Sequence, residues 1–214
     1  MNIHQNFCDF LNKFIPLKEE EYQTLLEPYV KTRRFQKKEI ITRAGEVEQY
    51  FNFIIKGLVR KYYKKGKTEI ISQISLEGHI IHVQESFHSQ APSEYFIAAI
   101  EPTVLASISF DDLEKIYASS KKMERLGRLV ITTTMILKDR WQSQLVMLTP
   151  RERFIRFVTQ QSELMQRVPQ KFLASYLNIK PETFSRFKHL LKDHEKNKVF
   201  NKVMPELLKN EISH

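Results

Sequence analysis

The stretch from Gln170 to His189 reads QKFLASYLNIKPETFSRFKH and decides how the C-terminal part of the chain is interpreted. Its apolar residues have the spacing that two short helices meeting at a corner require: Leu173, Leu177, Ile179, Phe184 and Phe187. Ala174 is small at the point where the two helices would cross. Asn178 tolerates the left-handed backbone of such a turn, and Pro181 suits the first position of the second helix. The pattern predicts a helix-turn-helix.

Side chains at the start of the predicted second helix suit contacts with the edges of DNA bases. Arg186 can donate two hydrogen bonds to guanine, and Glu182 can accept one from cytosine. Thr183 and Ser185 carry hydroxyl groups that can donate or accept. Three lysines are candidates for phosphate contacts that position the protein: Lys171, Lys180 and Lys188. Two-helix corners also occur as packing motifs, so a purely structural role remains the competing interpretation.

The distribution of charge also points to a polyanionic partner. The chain has 214 residues and a formal net charge of +9. Residues 151–214 contain 13 Lys and Arg against 7 Asp and Glu, a net charge of +6, whereas the preceding 150 residues contain 21 against 18, a net charge of +3. A basic excess at one end favours nucleic acid as the partner, although a basic soluble surface gives the same count.

Cysteine content and apolar runs limit the other classes of protein. Cys8 is the only cysteine, which excludes an intramolecular disulfide and an all-cysteine metal site and indicates a reducing cytoplasm. The sequence has no signal-peptide pattern and no apolar run of 18 residues. We therefore expect a cytoplasmic protein without a membrane partner.

Residues from about 32 to 109 have the pattern of short strands. The β-branched and aromatic runs are 40–41, 50–55, 58–63, 69–74, 96–100 and 104–108. Four glycines separate them at intervals of 12, 9 and 12 residues: Gly45, Gly57, Gly66 and Gly78. This spacing predicts an antiparallel β-barrel of jelly-roll type. Residues 7–30 have the apolar spacing of helices and would flank it.

Residues 111–148 are predicted to form two helices, the second of them long. Its apolar residues at three- and four-residue spacing include Leu126, Val130, Leu137 and Trp141. A second apolar side would allow this helix to pack on its own domain and on another copy. Burial between two domains of one chain is the alternative.

The sequence Thr149-Pro150-Arg151-Glu152 predicts the start of a new helix, because threonine and glutamate three residues apart can form a capping box. Three segments result. Residues 1–110 form the β-barrel domain, residues 111–148 the long dimerisation helix and linker, and residues 149–214 an all-α helix-turn-helix domain. The predicted fold class is α+β.

This layout resembles the Crp/Fnr family of transcription regulators over residues 15–192. Members join a β-barrel like that of cyclic-nucleotide-binding domains to a long dimerisation helix and a C-terminal helix-turn-helix. The residues ETFSR at 182–186 look like the family's recognition helix, whose Glu, Ser and Arg read a TGA core. The resemblance implies a homodimer that binds near-palindromic double-stranded DNA. It also implies contact with RNA polymerase if the protein activates transcription.

The resemblance is weaker at the nucleotide pocket. Relatives that bind cyclic AMP have a Gly-Glu pair and an Arg-Ser or Arg-Thr pair after the position of Gly78, where this chain has His82-Val83 and Ser93-Glu94. Val83 cannot accept from a ribose hydroxyl, and Glu94 places a negative charge where a phosphate requires a cation. We expect an effector pocket that does not take cyclic AMP and involves His82, Glu85, Ser93 and Glu94. The sequence identifies no effector.

Other functions compete with this interpretation. Four side chains are spaced so that they could bind a metal ion: His79, His82, Glu85 and His88. Such a site would suit a cupin-like metal-dependent oxygenase. Ordinary surface histidines fit the same spacing. A cyclic-nucleotide-binding subunit without DNA binding is a third interpretation, which Val83 and Glu94 disfavour. No nucleophile has an activating context, so we expect no enzyme and no resident cofactor or metal. Residues 193–214 are predicted to form a terminal helix or a loosely held extension.

Overall fold

The computed structural model describes residues 3–196 of the chain. The chain divides into two compact units, Met1–Ser143 and Gln144–His214. Residues 197–214, which make up most of the predicted extension at 193–214, lie outside the described residues. Within the described range, no helix combines the length and apolar character that crossing a membrane requires.

The first unit contains two antiparallel sheets of four strands each, in the orders β1-β8-β3-β6 and β2-β7-β4-β5. The strands are β1 Lys31–Phe35, β2 Ile40–Thr42, β3 Tyr50–Lys56, β4 Val59–Lys65, β5 Thr68–Ser75, β6 Ile80–Ile81, β7 Phe96–Ala99 and β8 Thr103–Ser109. The predicted α+β class and the antiparallel architecture are confirmed. The strands form two sheets rather than one closed barrel, because the hydrogen-bonded pairing of each sheet stops at its own edge strands.

Two strands were not predicted from the sequence. β1 reads KTRRF and lies at a sheet edge, where Lys31 pairs with Ser107 and Phe35 with Thr103. Its polar side chains remain mostly exposed, so it lacks the apolar alternation of an ordinary strand. β6 has only two residues, Ile80–Ile81, which is too short for any periodic signal.

Helices pack against the sheet that contains β3 and β8 and contribute to the larger apolar cluster of the unit. They are α1 Ile3–Asn12, α2 Glu19–Leu25, a 3-10 helix at Glu27–Tyr29, α3 Gln84–Ser89, α4 Phe110–Ser119 and the first part of α5 Lys121–Met147. One apolar cluster joins Phe7 of α1, Phe53 of β3 and Ile116 of α4. Leu126 and Val130 of α5 belong to the same cluster and are each 4% exposed.

The second unit begins with the last residues of α5 and continues with short helices. These are α6 Pro150–Gln160, α7 Ser162–Arg167, α8 Gln170–Tyr176 and α9 Pro181–Lys196. The predicted capping box is present at the start of α6, where the Thr149 amide donates to Glu152 Oε2 over 2.8 Å and the Glu152 amide donates to Thr149 Oγ1 over 3.3 Å. Phe154 and Phe184 pack edge to face in the core of this unit.

The turn between β3 and β4 leaves no room for a side chain at Gly57. This glycine has φ +101°, and a Cβ atom there would lie 2.5 Å from Thr103 Oγ1 and 2.6 Å from the carbonyl oxygen of Pro102. Gly66, in the β4–β5 hairpin, has φ +61° and open space around it. A side chain at either position would have an unfavourable positive φ, but only a side chain at Gly57 would also clash with its neighbours.

We expect Gly57→Ala to destabilise the protein more than Gly66→Ala does. Both variants pay for a positive φ, but only the first adds overpacking against backbone atoms, which costs about 1–3 kcal/mol more. Urea unfolding of the two variants and the wild type measures the difference in the free energy of unfolding. Equal losses would contradict the close approach of Gly57 to Pro102 and Thr103.

Candidate nucleic-acid interface and effector pocket

The predicted two-helix corner is present in the second unit. α8 ends at Tyr176 and α9 begins at Pro181. Asn178 adopts φ +51°, the left-handed conformation expected from its residue type. The Ile179 amide donates to the Ala174 carbonyl over 2.9 Å, which folds the turn back onto α8. The sequence therefore predicts both the position of the turn and the residue that makes it.

The first turns of α9 present a polar surface. Phe184 is fully buried and fixes the inner side of the helix. Glu182 and Arg186 are exposed, one helical turn apart, and Ser185 lies beside them and is half-buried. Thr183 is also half-buried. The structure thus places the side chains of Glu182, Ser185 and Arg186 on one face of the helix.

Three lysines add positive charge to this unit. Lys171 at the start of α8, Lys180 in the turn and Lys188 in α9 are all exposed. Lys180 precedes α9, and its carbonyl accepts from the Phe184 amide over 2.9 Å. These lysines are exposed and positively charged, as contacts with phosphate groups require.

The four residues predicted for dimerisation fall into two groups along α5. Leu126 and Val130 are packed in the core of the first unit. Leu137 is 55% exposed and Trp141 is half-buried. Met135 and Ile136 next to Leu137 are also exposed, which leaves an apolar stretch open at 135–137. The surface available to a second copy therefore lies beyond Val130.

His82 lies in an aromatic environment in the first unit. Its ring centroid is 5.1 Å from that of Phe51 and 5.4 Å from that of Phe87. The side chain is buried, and its Nε2 atom has no hydrogen-bond partner among the described residues. Burial, aided by the charges of Lys61, His88 and Lys138, lowers the pKa of His82 to about 3. His82 is therefore neutral at physiological pH.

A half-buried lysine lies beside this histidine. Lys61 donates from Nζ to the carbonyl oxygen of His82 over 3.4 Å, and its Nζ is 5.7 Å from the ring centroid of Tyr95. Burial and the nearby Lys138 lower the pKa of Lys61 to about 8. The sequence offered no signal for this residue, because Lys61 belongs to a run of basic residues that looks like an ordinary exposed hairpin.

The other residues predicted for the effector pocket are placed differently. Ser93 is buried, but its hydroxyl donates to the Tyr95 carbonyl and accepts from the Tyr95 amide in a local turn. Glu85 and Glu94 are exposed. His82 and Ser93 thus lie inside the unit, whereas the two glutamates face solvent.

Glu48 holds the start of α3 and was not singled out from the sequence. It is 1% exposed and accepts hydrogen bonds from Thr42 Oγ1 (2.8 Å), the Tyr50 amide (3.1 Å) and the Val83 amide (3.4 Å). Its own amide donates to Ser86 Oγ over 2.9 Å. Burial raises the pKa of the Glu48 carboxyl, against these hydrogen bonds. The backbone amide of Val83 is therefore occupied within the protein.

The histidine cluster proposed for a metal is not assembled. Between residues 3 and 196, no three His, Cys, Asp or Glu side chains are grouped so that they could hold a metal ion. His79 is exposed, with Nδ1 3.2 Å from the carbonyl oxygens of Leu76 and Glu77, and Glu85 is exposed on α3. The metal-dependent oxygenase interpretation is therefore unsupported.

Comparison with known proteins agrees with the fold. Residues 32–120 match the family described as cyclic nucleotide-binding domain. FixK2 from Bradyrhizobium japonicum is similar in structure, with a TM-score of 0.66 and 19% sequence identity over 78% of this chain and 86% of that one. No curated protein sequence matches the chain significantly.

Two further structures extend the comparison. The c-di-GMP responsive global regulator CLP of Xanthomonas campestris has a TM-score of 0.60 and 19% identity, covering 78% of this chain and 89% of that one. A mutant of CooA from Carboxydothermus hydrogenoformans has a TM-score of 0.62 and 19% identity, covering 83% and 82%. Residues 32–120 are thus similar to the cyclic nucleotide-binding domain family, and the chain is similar in fold to these regulators. The resemblance indicated by the sequence is confirmed.

We expect the burial of His82 to make stability depend on pH. The pKa is near 6.5 in the unfolded chain and about 3 in the folded protein, so the unfolded state binds an extra proton between these values. The contribution of His82 to stability is complete above pH 6.5 and falls by about 1.4 kcal/mol per pH unit as the pH drops below it. His82→Leu should remove this part of the pH dependence.

Urea unfolding of the wild type and His82→Leu at pH 7.5 and pH 5 tests the expectation. The wild type should lose more stability between the two pH values than the variant does. Glu48, His88 and Lys61 titrate in both proteins, so their contributions cancel in the comparison. Identical losses would show that His82 is accessible to protons in the folded state.

Proposed function

We propose that the protein is a sequence-specific DNA-binding transcription regulator of Crp/Fnr type that acts in the cytoplasm. The arrangement of α8, the turn at Asn178 and α9 carries this proposal, because it exposes Glu182 and Arg186 at the start of the second helix. A helix of this kind enters the major groove with its N-terminal residues at the base edges. The basic excess of residues 151–214 supports the same partner.

Specific and non-specific contacts come from different side chains in this proposal. Arg186 would donate two hydrogen bonds to a guanine, Glu182 would accept from a cytosine, and Ser185 and Thr183 would complete the set. Lys171, Lys180 and Lys188 would bind phosphates and make the affinity salt-dependent. The favoured target has a TGA-like core in each half-site.

The protein would bind DNA as a homodimer. The exposed apolar stretch at 135–137 of α5 supplies a surface that a second copy can cover. Two-fold pairing of this kind places the two reading helices about 34 Å apart, one turn of DNA, over a near-palindromic site. A dimer that activates transcription would also contact RNA polymerase.

The effector of this regulator would not be cyclic AMP. Val83 is buried and apolar where a ribose hydroxyl would need an acceptor, and its amide already donates to Glu48. The exposed carboxylate of Glu94 disfavours a phosphate in its vicinity. The protein takes another ligand or binds DNA without one.

We expect Arg186→Ala to lose sequence discrimination. A bidentate contact to guanine contributes about 1–3 kcal/mol of discrimination in each half-site. Selection from a pool of random duplexes with the wild type gives the preferred site. Fluorescence anisotropy then compares that site with a scrambled duplex.

Lys188→Ala is the matched control, because Lys188 is exposed on the same helix. It should weaken binding to both duplexes alike and reduce the salt dependence. If Arg186→Ala still distinguished the selected duplex from the scrambled one as well as the wild type does, the assignment of the recognition helix would be wrong.

We expect Leu137→Glu to weaken the dimer. A carboxylate at a buried apolar seam must lose its hydration without a partner, which is unfavourable. Sedimentation equilibrium measures the association constant of the variant against the wild type. Gln142→Glu, at an exposed position of α5 outside the three- and four-residue spacing that runs through Leu137, is the control and should have a smaller effect. An unchanged association constant for Leu137→Glu would place the seam elsewhere.

A further inference from the structure

Arg153 of α6 is buried and donates hydrogen bonds to four backbone carbonyl groups. Its Nε binds the carbonyl oxygen of Leu177 over 2.8 Å, and its Nη2 binds that of Asn178 over 3.1 Å. Its Nη1 binds the carbonyl oxygens of Leu145 (3.1 Å) and Leu148 (2.5 Å). The residue is 7% exposed. One guanidinium thus contacts both the end of α5 and the turn between α8 and α9.

The carbonyl groups near the end of α5 require an outside donor. If α5 continued, the carbonyls of Leu145 and Leu148 would accept from the amides of Thr149 and Glu152. Those two amides are used in the capping box of α6 instead. Because the capping box ends one helix and starts the next, it leaves these carbonyls to Arg153.

The carbonyl groups at the turn are in a similar position. In a continuous helix the Leu177 carbonyl would accept from residue 181, but Pro181 has no N–H group. A guanidinium has five N–H donors in a fixed plane, so it can bind carbonyls on two sides at once. Its charge also suits the negative ends of helices. A lysine at this position has one nitrogen and cannot reproduce the arrangement.

The contact has a direct consequence for α9. Leu177 and Asn178 lie within four residues of Pro181, the first residue of α9. Fixing their carbonyls relative to Leu145 and Leu148 therefore fixes where α9 begins with respect to the last turn of α5. The side chains of Glu182 and Arg186 follow within the first two turns of α9.

We propose that Arg153 is a positioning residue for DNA recognition, which holds the start of α9 against the end of α5. Discrimination between DNA sequences then requires Arg153 beyond its contribution to the stability of the unit. This inference rests on the proposed function and adds a residue that does not itself contact DNA. Base contacts depend on geometry, whereas phosphate contacts by mobile lysines tolerate displacement. Loss of Arg153 should therefore act on specific binding.

The test compares Arg153→Lys with Leu164→Ala. Leu164 is buried in α7 of the same unit, so its truncation is a control for general destabilisation. Both variants are assayed at a temperature where circular dichroism shows them folded. We expect Arg153→Lys to lower the affinity ratio of selected to scrambled duplex by about tenfold or more, the equivalent of one lost base contact. Leu164→Ala should keep the ratio of the wild type.

Hydrogen exchange provides a readout that does not depend on DNA. In Arg153→Lys, amides of residues 145–149 and 177–184 should exchange faster than in the wild type, whereas Leu164→Ala should increase exchange around α7. An unchanged ratio would overturn the role of Arg153 in recognition, and unchanged exchange in both segments would overturn its role in holding them together. A loss of ratio shared equally by Leu164→Ala would overturn it as well.

The same experiment separates this inference from the proposed function. If the wild type does not distinguish any selected duplex from its scrambled form, the proposed function fails and the role in DNA recognition fails with it. If the wild type discriminates and Arg153→Lys discriminates equally well, only the role of Arg153 is overturned.

Discussion

Backbone carbonyl groups that have lost their helical partners meet at one buried side chain in the second unit. α5 ends because the capping box of α6 uses the amides of Thr149 and Glu152. α8 ends because Asn178 turns the chain at a positive φ and Pro181 offers no amide. A carbonyl left without a donor away from water costs about 1–3 kcal/mol, so a donor that reaches both chain breaks stabilises the unit. Arg153 is that donor, with hydrogen bonds to carbonyl groups at both breaks.

Glu48 has the complementary role in the first unit. It accepts from the amides of Tyr50 and Val83 and so fixes an irregular segment that leads into α3. Each unit thus uses one buried charged side chain to satisfy backbone groups where regular structure stops. The charge is tolerated because several hydrogen bonds replace the lost water. Replacement of either residue by an apolar one would leave the backbone groups without partners.

The parts of the fold predicted from the sequence are those that local chemistry encodes. Glycine spacing and β-branched runs located six of the strands, and Asn178 with Pro181 located the turn of the helix-turn-helix. The sequence does not predict β1, because the edge position of KTRRF allows polar side chains on both faces of the strand. The sequence does not predict β6, because a strand of two residues is too short to show an alternation of apolar and polar residues. Prediction therefore failed where a strand depends on its partner rather than on its own pattern.

The candidate functional site also has residues that the sequence predicts and residues that it does not. The exposure of Glu182 and Arg186 follows from helical periodicity once Phe184 is buried, so the sequence was sufficient. Arg153 contacts Leu177, 24 positions away, and Glu48 contacts Val83, 35 positions away, and no local pattern carries such contacts. Spacing groups His82 with Glu85, and the family resemblance groups it with Glu94, but the aromatic rings of Phe51 and Phe87 lie against His82 and both glutamates are exposed.

The division of α5 into a buried first half and an exposed second half has an evolutionary consequence. Substitutions at Leu126 or Val130 change the core of the first unit and are subject to selection for folding. Substitutions at 135–137 leave that core intact, because these side chains are exposed. A single turn of one helix can therefore change at little cost in folding, and with it the surface that the proposed homodimer would use.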